Sequence, residues 1–391
     1  MSLKVPSPVR RPGSPEKLSA PGILSPRFLV RNFFNLIVRR RIEFSFDRIP
    51  LRATGLSARK IVNLFLIGFN RLFRISRAIG RPYMAHISPS GVCDLNCSLC
   101  PVHDLTNRGQ SLMSFEVYKK FIDEAGGTLL YVILWGWGEP LLNPDLPRMI
   151  AYTRDRGILT ICSTNLNRLA PVTARALVSS GLDVLIVALD GVTEETSGRL
   201  RPGSSAGRVV ENLKLLLAER TRAGSAKPFL NLRMVVSREN EAEVEAFRRL
   251  ARELEVDMVS FKAFSTRQPG YADPNHDQAF APKEEWFRWY EYQADFAVDP
   301  EHGRFDCRFP WTKPTLFPDG EMAICEFDFH SELPLGNIKD RSFDEIWFGP
   351  DARSIRNRFL RDRAGLAFCR DCVYDFKKIP GCVVDWEFFP K

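Results

Sequence analysis

Three cysteines in one short segment carry the clearest chemical signal of this chain. Cys93, Cys97 and Cys100 are separated by three and then two residues. Three thiolates on one loop can hold three irons of a four-iron, four-sulfur cluster and leave the fourth iron with an open coordination position. An iron with an open position can bind a small molecule and pass an electron to it. The spacing therefore predicts redox chemistry rather than a structural cross-link.

Zinc is the main alternative occupant of this loop. Structural zinc usually takes four protein ligands, most often as two pairs of the C-x-x-C type. No second pair lies nearby in the sequence, and the nearest histidines are His86 and His103. A disulfide is less favoured still, because the chain has nine cysteines, no recognisable secretory signal peptide and a length that needs no cross-links.

A second group of cysteines lies near the C-terminus. Cys307 and Cys325 are separated by 17 residues, and Cys369 and Cys372 form a C-x-x-C pair. Between the first two, residues 317–321 (Phe-Pro-Asp-Gly-Glu) predict a turn between two short strands. Four cysteines with one such pair suit either an iron–sulfur cluster or a structural zinc.

Two cysteines remain outside these groups. Cys162 lies inside an apolar run and is predicted to be a small core residue. For Cys382 three roles stay open: an alternative cluster ligand, a hydrogen-atom donor, or an inert thiol. Glu326 and Asp328 directly follow Cys325 in the sequence and are candidate proton acceptors, although solvated turn acids are the simpler interpretation.

Short apolar runs and amphipathic segments alternate from residue 83 onward. This alternation predicts a parallel sheet with helices outside it. Six strand–helix units fall short of the eight in a closed barrel, so we expect an open, partial (β/α)6 barrel over residues 82–264, with the chemistry at the C-terminal ends of its strands. The predicted strands are Tyr83–Ser88, Leu129–Trp135, Leu159–Ser163, Val184–Leu189, Phe229–Val236 and Met258–Phe264.

Length and charge set the domain organisation. A chain of 391 residues that is 45% hydrophobic accommodates one large domain and one or two small ones. Residues 1–81 hold 17 Lys and Arg against three acidic residues, whereas the rest of the chain is mildly acidic. This distribution argues against a nucleic-acid enzyme with a basic active face. Residues 265–302 are expected to be a connector with one helix around Trp286–Ala294, and residues 303–391 a separate small domain.

The N-terminal segment is divided into two parts. Residues 1–27 are rich in proline and serine and are predicted to be disordered. Residues 28–81 carry two apolar clusters with interspersed Asn and Arg, and neither cluster has the ~20 uninterrupted apolar residues of a membrane span. We expect a basic amphipathic helical extension. It suits a helix in a membrane interface, an extra layer packed on the body, or a dimer contact.

Taken in order, these motifs resemble the radical S-adenosylmethionine (SAM) superfamily over roughly residues 83–391. The cysteine loop matches the family signature. Residues 136–140 (Gly-Trp-Gly-Glu-Pro) resemble the family's glycine–glutamate motif, in which the backbone and Glu139 hold the methionine amino group of SAM. Gly138 and Glu139 are kept, whereas Trp137 stands where the family often has a second glycine.

Further segments resemble the family's SAM-binding elements. Ser163 and Asn165 fall where the family approaches the ribose and the methionine carboxylate, and Asp190 falls in a turn like the family's Ala-Leu-Asp-Gly. Arg199 and Arg201 fall where relatives often place an arginine near the SAM carboxylate. The resemblance thus implies a SAM-binding [4Fe-4S] cluster and SAM as cofactors.

The C-terminal cysteines resemble the SPASM extension of this superfamily, and more closely its shortened "twitch" form. That form holds one auxiliary [4Fe-4S] cluster through four cysteines, which here are Cys307, Cys325, Cys369 and Cys372. A full SPASM domain with two auxiliary clusters needs more cysteines than Cys382 alone supplies. We therefore expect one auxiliary cluster.

The resemblance implies reductive cleavage of SAM to a 5′-deoxyadenosyl radical that abstracts a hydrogen atom from the substrate. A small-molecule or lipid-linked substrate, with net oxidation or epimerisation, is the first expectation. A peptide or protein maturase is the second, and a non-catalytic iron–sulfur or zinc scaffold is the third. The resemblance implies a low-potential electron donor such as flavodoxin or ferredoxin. The basic, apolar residues 28–81 are suited to a peripheral membrane contact, and the charge distribution argues against a nucleic-acid partner. The implied location is the cytoplasm, with membrane contact on the inner face.

Overall fold

The computed structural model describes most of the chain from residue 26 onward. Described are residues 26–98, 100, 102, 111–265, 274–290, 292, 307–328, 330–370, 372, 374 and 382–389. Nearly all of the predicted disordered segment, residues 1–25, lies outside this description. Residues 266–273, 291 and 293–302 of the predicted connector also lie outside it. Of the helix expected around Trp286–Ala294, residues 286–290 and 292 are described, and they contain only part of a 3-10 turn at Glu285–Phe287, which corrects that prediction.

The strands and helices of the described residues are numbered in chain order. The strands are β1 (Ile42–Phe46), β2 (Ile49–Ala53), β3 (Met84–Ile87), β4 (Tyr131–Leu134), β5 (Leu159–Thr164), β6 (Val184–Ala188), β7 (Phe229–Val235), β8 (Met258–Lys262), β9 (Thr315–Leu316), β10 (Glu321–Ala323), β11 (Gly336–Asn337) and β12 (Val383–Phe388). The helices are α1 (Pro26–Ile37), α2 (Ala58–Phe73), α3 (Phe115–Ala125), α4 (Leu146–Arg154), α5 (Pro171–Ser180), α6 (Glu194–Leu200), α7 (Ala206–Arg222), α8 (Val244–Glu253), α9 (Pro274–Phe280), α10 (Phe309–Thr312), α11 (Phe343–Trp347), α12 (Pro350–Arg361) and α13 (Ala367–Arg370).

Six parallel strands form the centre of a larger sheet. Strands β3 to β8 pair in chain order, each parallel to the next. The sheet runs β11-β10-β9-β3-β4-β5-β6-β7-β8-β12 and does not close within the described residues. The predicted open, partial (β/α)6 barrel is therefore confirmed. Its strands read as continuous apolar runs because both faces are buried, as expected of a parallel sheet.

Local sequence signals account for the ends of the helices. Ser114 and Ser205 precede α3 and α7, and their hydroxyls accept the backbone N–H groups of Val117 and Arg208. Such caps satisfy N–H groups that the first helical turn leaves without partners. Gly181 ends α5 in the left-handed region, at a φ of 79°, which a residue without a side chain adopts at little cost. These local signals account for the bounds of the three helices.

The N-terminal extension is only partly helical, which corrects the prediction for residues 28–81. Strands β1 and β2 form an antiparallel hairpin between helices α1 and α2. Its two-residue turn, Asp47-Arg48, has positive φ at both positions, as a tight hairpin turn requires. Apolar residues alternate along both strands, as in a half-buried hairpin. The prediction missed this alternation because the longer pattern of apolar residues with spaced Asn and Arg in the flanking helices indicated helix throughout.

The hairpin fills the inner face of the sheet. Phe44 stacks on Tyr131 at a ring distance of 5.2 Å, and Phe46 meets Trp135 edge-on at 5.7 Å. Together with the inward-facing residues of β4 to β8, the hairpin forms a second apolar core. The opposite face of the same strands packs against the surrounding helices in the main core. The partial barrel thus has a filled interior.

The C-terminal region is joined to the barrel sheet along both edges. The predicted turn at residues 317–321 connects β9 and β10, which pair antiparallel, and β9 extends the sheet by pairing with β3. At the other edge, β12 pairs antiparallel with β8. The region also contains helices α11 and α12, which the sequence pattern did not indicate. The C-terminal cysteines are therefore held close to the barrel.

Candidate active site

A cavity of about 370 Å³ lies at the C-terminal ends of the barrel strands. This volume falls within the range of about 300 to 1,000 Å³ that is typical of small-molecule sites. The thiols of Cys93, Cys97 and Cys100 line it, together with the last residues of four successive strands. These strand-end residues are Thr164, Ala188, Val235 and Lys262. The cavity lies at the edge of the sheet where the fold class predicts chemistry.

The cysteine loop is held by contacts to neighbouring strand–helix connections. The backbone N–H of Asn96 donates to the carbonyl oxygen of Pro202 at 3.0 Å. The side-chain amide of Asn165 donates to Asp94 Oδ1 at 2.8 Å and lies 3.9 Å from Cys93 Sγ. Burial raises the pKa of the Cys93 and Cys97 thiols to about 11. Binding of iron to these sulfurs must therefore displace their protons.

The turn after β4 requires glycine at one position. A Cβ atom on Gly138 would lie 2.3 Å from the carbonyl oxygen of Ser90 and 2.8 Å from that of Val92. Only a residue without a side chain fits this approach. The turn is further fixed by the backbone N–H of Glu139, which donates to Val92 O at 2.8 Å. The close packing sets Glu139 at the wall of the cavity.

Glu139 is a buried carboxyl with three hydrogen-bond donors around it. The hydroxyl of Thr164 donates to one oxygen at 2.6 Å, and the backbone N–H of Leu141 donates to the same oxygen at 3.0 Å. The backbone N–H of Asn165 donates to the other oxygen at 2.8 Å. Burial raises the pKa of Glu139 to about 7, although these hydrogen bonds oppose the shift. The carboxyl is fixed in place and poised to pair with a cation.

Asp190 and Arg201 form a largely buried ion pair at the same cavity. Arg201 Nε lies 2.6 Å from Asp190 Oδ2, and the backbone N–H of Val235 donates to Asp190 Oδ1 at 2.8 Å. Both side chains line the cavity. Arg199, the second arginine of the motif, instead pairs with Glu195 and Glu239 on the surface and is half exposed. Of the two arginines, only Arg201 faces the cavity.

All six residues predicted to bind cofactor line this one cavity. They are Gly138, Glu139, Ser163, Asn165, Asp190 and Arg201. Within the described residues, no three His, Cys, Asp or Glu side chains come together closely enough to hold a single metal ion. Three thiols beside a buried carboxyl and an ion pair fit a cluster-bound, zwitterionic cofactor.

The four C-terminal cysteines line a second, smaller cavity. Cys307, Cys325, Cys369 and Cys372 surround it together with apolar and aromatic side chains. Burial raises the pKa of the Cys307 thiol to about 12 and raises that of Cys325. Two segments about 45 residues apart in sequence thus bring their thiols to one place. This donor set suits a second iron–sulfur cluster.

The candidate proton acceptors after Cys325 are buried, which corrects their interpretation as solvated turn acids. Glu326 Oε1 lies 2.5 Å from Lys313 Nζ and 3.9 Å from His86 Nδ1. Burial would raise the pKa of Glu326, but Lys313 and His86 together lower it to about 2. Asp328 accepts the backbone N–H groups of Glu332 and Leu333. Both carboxylates therefore have structural partners, and Glu326 is a weak base.

Neither of the two remaining cysteines is among the described residues that line the two cavities. Cys162 is fully buried in the main core, as predicted. Cys382 Sγ lies 2.9 Å from Asp47 Oδ1 at the tip of the N-terminal hairpin. Cys382 is not among the described residues that line the second cavity. Its observed partner is a hairpin carboxylate, a contact that no sequence pattern indicated.

Several residues of the first cavity were not predicted. Lys262 ends the sixth strand, so the rule that strand ends carry the site could have found it. Trp135, Phe327 and Tyr374 also line the cavity. Phe327 and Tyr374 come from the C-terminal region, and only the tertiary fold brings them to the barrel. The two cysteine regions thus share one wall.

Trp137 connects the turn at Glu139 to the loop of Cys325. Its indole N–H donates to the carbonyl oxygen of Glu326 at 3.0 Å, and its ring lies 6.5 Å from that of Phe327. This contact gives a structural reason for tryptophan at a position where glycine is the usual residue. The side chain connects the turn at Glu139 to the loop of Cys325.

We expect Trp137→Phe to weaken the contact between the Glu139 turn and the Cys325 loop without abolishing it. The substitution removes one hydrogen bond worth ~1 kcal/mol and keeps an aromatic ring. The anaerobic thermal unfolding midpoint should fall, and it should fall further in Trp137→Gly. Trp286→Phe is the matched control because Trp286 is exposed. Equal midpoints for the Trp137 and Trp286 variants would contradict a tethering role.

Comparisons with known proteins match both halves of the described body. The sequence model of the radical SAM superfamily matches residues 87–251, and that of SPASM, an iron–sulfur cluster-binding domain, matches residues 307–373. The AdoMet-dependent heme synthase of Methanosarcina barkeri is 28% identical over 327 residues, covering 74% of this chain and 88% of that protein. The PqqA peptide cyclase of Rhizobium meliloti is 24% identical over 307 residues, covering 74% and 79%.

A solved structure shares the fold. Streptococcus suis SuiB, bound to its precursor peptide SuiA, superposes with a TM-score of 0.55 at 16% identity, covering 81% of this chain and 75% of that chain. At this identity the likeness concerns the fold alone.

Proposed function

Because this chain is a radical SAM enzyme with a C-terminal SPASM domain, we propose that it is a maturase that modifies a peptide or protein. The observation that carries the proposal is the shared cavity. The cysteine loop, the buried Glu139 and the strand ends meet there with Phe327 and Tyr374 of the C-terminal region. A radical generated at the cysteine loop would therefore meet a substrate held between the barrel and the SPASM domain.

The two domains imply a SAM-binding [4Fe-4S] cluster, auxiliary iron–sulfur chemistry and SAM as cofactors. Cys93, Cys97 and Cys100 would hold the first cluster. When bound, the cluster and SAM supply a 5′-deoxyadenosyl radical that removes a hydrogen atom from the substrate. Cys307, Cys325, Cys369 and Cys372 would hold a single auxiliary cluster, as in the twitch form.

The chain's own residues would orient SAM and keep water from the site. Ionised Glu139 would bind the amino group of the methionine moiety, since it is the one carboxyl at that wall fixed by three donors. Arg201 would carry its positive charge towards the methionine carboxylate, with Asp190 positioning its guanidinium. Asn165 would position the cysteine loop through Asp94. Trp135 and Trp289 would line the substrate side with apolar surface.

Peptide substrates are supported by the known relatives. PqqA peptide cyclase acts on a peptide, and SuiB was crystallised with a precursor peptide. A second candidate is a small or lipid-linked molecule, which the similarity to a heme synthase favours. In either case we propose that the product is oxidised or epimerised. An oxidised product loses a pair of hydrogen atoms, whereas an epimer keeps its mass.

The reaction needs a low-potential electron donor, for which we propose flavodoxin or ferredoxin. Oxygen-labile clusters and such electrons are features of the cytoplasm, and we propose that compartment for the enzyme. Residues 82–391, which carry the site, are mildly acidic and would repel a nucleic acid, so we propose no nucleic-acid substrate.

The experiment is to measure 5′-deoxyadenosine formation by the anaerobically reconstituted, reduced protein. Three fractions of the cells that express it are added separately: soluble peptides and proteins, soluble metabolites, and a lipid extract. The maturase would be supported if the peptide and protein fraction stimulates 5′-deoxyadenosine formation and protease treatment of that fraction abolishes the stimulation. Stimulation by metabolites or lipid alone would favour the second candidate. No 5′-deoxyadenosine above a Cys97→Ala control in any fraction would remove the radical enzyme from consideration.

A further inference from the structure

An apolar surface patch covers the outward sides of α1 and α2. Of the fifteen exposed large hydrophobic side chains in the described residues, ten lie on these two helices or directly beside them. The rings of Phe33 and Phe65 lie 6.4 Å apart, so the two helices present one continuous patch. Contiguous patches of this kind mark interaction surfaces. The patch consists of Phe33, Phe34, Ile37, Val38, Val62, Phe65, Leu66, Phe69, Leu72 and Phe73.

Positive charge surrounds this patch. Residues 28–41 and 57–81 contain no aspartate or glutamate, so every charged side chain in these two segments is basic. Arg39, Arg40, Arg74 and Arg77 are exposed beside the patch. A surface that combines exposed aromatic and aliphatic side chains with arginines complements an anionic bilayer.

An arginine-lined cavity of about 490 Å³ opens on the flank of the same helix. From α2, Leu64, Gly68 and Arg71 line it, next to the patch residues Phe65 and Leu72. The opposite wall comes from α10, α12 and the residues that follow α12. No acidic residue is among the described residues that line the cavity. Its arginines are Arg71, Arg74, Arg308, Arg361 and Arg363, and its apolar wall includes Trp311 and Phe359.

We propose that the patch docks this protein on an anionic lipid bilayer and that the cavity beside it takes a phosphate-bearing lipid head group. Arginine suits phosphate because its guanidinium offers several donors in a planar fork. The apolar wall would pack against the first carbons of the lipid tails. None of the helices in the described residues is long and apolar enough to cross a membrane. The contact is therefore one of a helix pair lying in the interface.

Other occupants of the patch fit the charge less well. A symmetric contact between two copies would place the same arginine-flanked surfaces face to face. Residues 1–25 carry four Lys and Arg against one acidic residue, so this segment would also meet like charge. An anionic lipid surface is the occupant whose charge complements the patch and the cavity together.

Vesicle co-sedimentation of the full-length, reconstituted protein tests the docking surface. We expect binding to phosphatidylcholine vesicles that contain phosphatidylglycerol, weaker binding to phosphatidylcholine alone, and loss of binding at high salt. Phe65→Ser/Leu72→Ser should weaken binding on the order of tenfold or more. Arg74→Gln/Arg77→Gln should weaken it roughly 25-fold, since each basic residue at an anionic surface contributes about fivefold. Val172→Ser is the control, because Val172 is 70% exposed on α5, outside the patch.

The cavity is tested with a soluble probe. Dihexanoyl-phosphatidylglycerol should raise the thermal unfolding midpoint of the wild type but not that of Arg74→Gln/Arg361→Gln. An equal shift with inorganic phosphate would overturn the lipid head group in favour of a free anion.

Two further results would overturn the docking proposal. One is equal binding to neutral and anionic vesicles. The other is a concentration-dependent dimer that Phe65→Ser/Leu72→Ser abolishes, in a protein that does not bind vesicles. SAM cleavage without vesicles should be unchanged in every variant, so failure of the docking proposal is distinguishable from failure of the enzymatic one.

Discussion

Replacing Cys97 with alanine is expected to lower 5′-deoxyadenosine formation to the level of a protein-free control. Cys97 lies in the middle of the three-cysteine loop at the wall of the main cavity. Two thiolates hold a four-iron cluster poorly, and without the cluster no electron reaches SAM. The measurement is single-turnover formation of 5′-deoxyadenosine under anaerobic reduction, together with the iron content after reconstitution.

Iron content separates loss of one cluster from loss of the fold. With one auxiliary cluster in the C-terminal cavity, about half of the iron should remain in Cys97→Ala. Cys162→Ala is the matched control, since that thiol is fully buried in the barrel core and faces neither cavity. Retained SAM cleavage in Cys97→Ala, or its loss in Cys162→Ala with full iron content, would contradict the assignment of this loop.

SAM affinity is expected to rise with pH through about 7 and to lose this dependence in Glu139→Gln. Burial raises the pKa of Glu139 to about 7, so the carboxyl is largely protonated at pH 6 and ionised at pH 8. Only the ionised form pairs with the amino group of SAM. Below pH 7 the affinity should therefore fall about tenfold per pH unit. At pH 8, Glu139→Gln should bind SAM roughly 30- to 100-fold more weakly, which corresponds to about 2–3 kcal/mol.

The same pKa shift affects the stability of the SAM-free protein in the opposite sense. Because the folded-state pKa lies above the ordinary value of 4.5, the unfolded chain releases this proton at lower pH. The stability contributed by the protonated carboxyl is complete below pH 4.5 and is lost as the pH rises through about 7.

Equilibrium SAM binding at pH 6, 7 and 8 checks the affinity, with Glu116→Gln on the exposed side of α3 as control. A flat wild-type profile would show that Glu139 does not titrate there.

The parts of the site that directly follow a barrel strand could be predicted from the sequence. The cysteine loop, the glycine–glutamate turn and Asp190 each follow a strand, so their shared location follows from the parallel order of the strands. Gly138 was predicted from a motif, and the structure adds its physical reason: the carbonyl oxygen of Ser90 occupies the space of a side chain.

The remaining parts depend on contacts between distant segments. Phe327 and Tyr374 reach the cavity only because β9 and β12 attach the C-terminal region to opposite edges of the barrel sheet. Glu326 looked like a solvated turn acid because no local motif links it to its partners Lys313 and His86, which lie 13 and 240 residues away in the sequence. The hairpin β1–β2 was missed because the apolar alternation of five-residue strands is short beside the longer helical patterns on either side.

The hairpin also constrains the order in which the chain can fold. Asp47 at its tip contacts Arg233 on β7 and Cys382 next to β12, and the second of these contacts spans 335 residues. Contacts of such long range are completed late. During synthesis, the inner apolar faces of the barrel strands stay exposed until the last strand leaves the ribosome, unless the hairpin has already covered them. A shortened protein that begins after residue 53 would leave the second apolar core open to water and should aggregate, whereas one that begins at residue 42 would retain it.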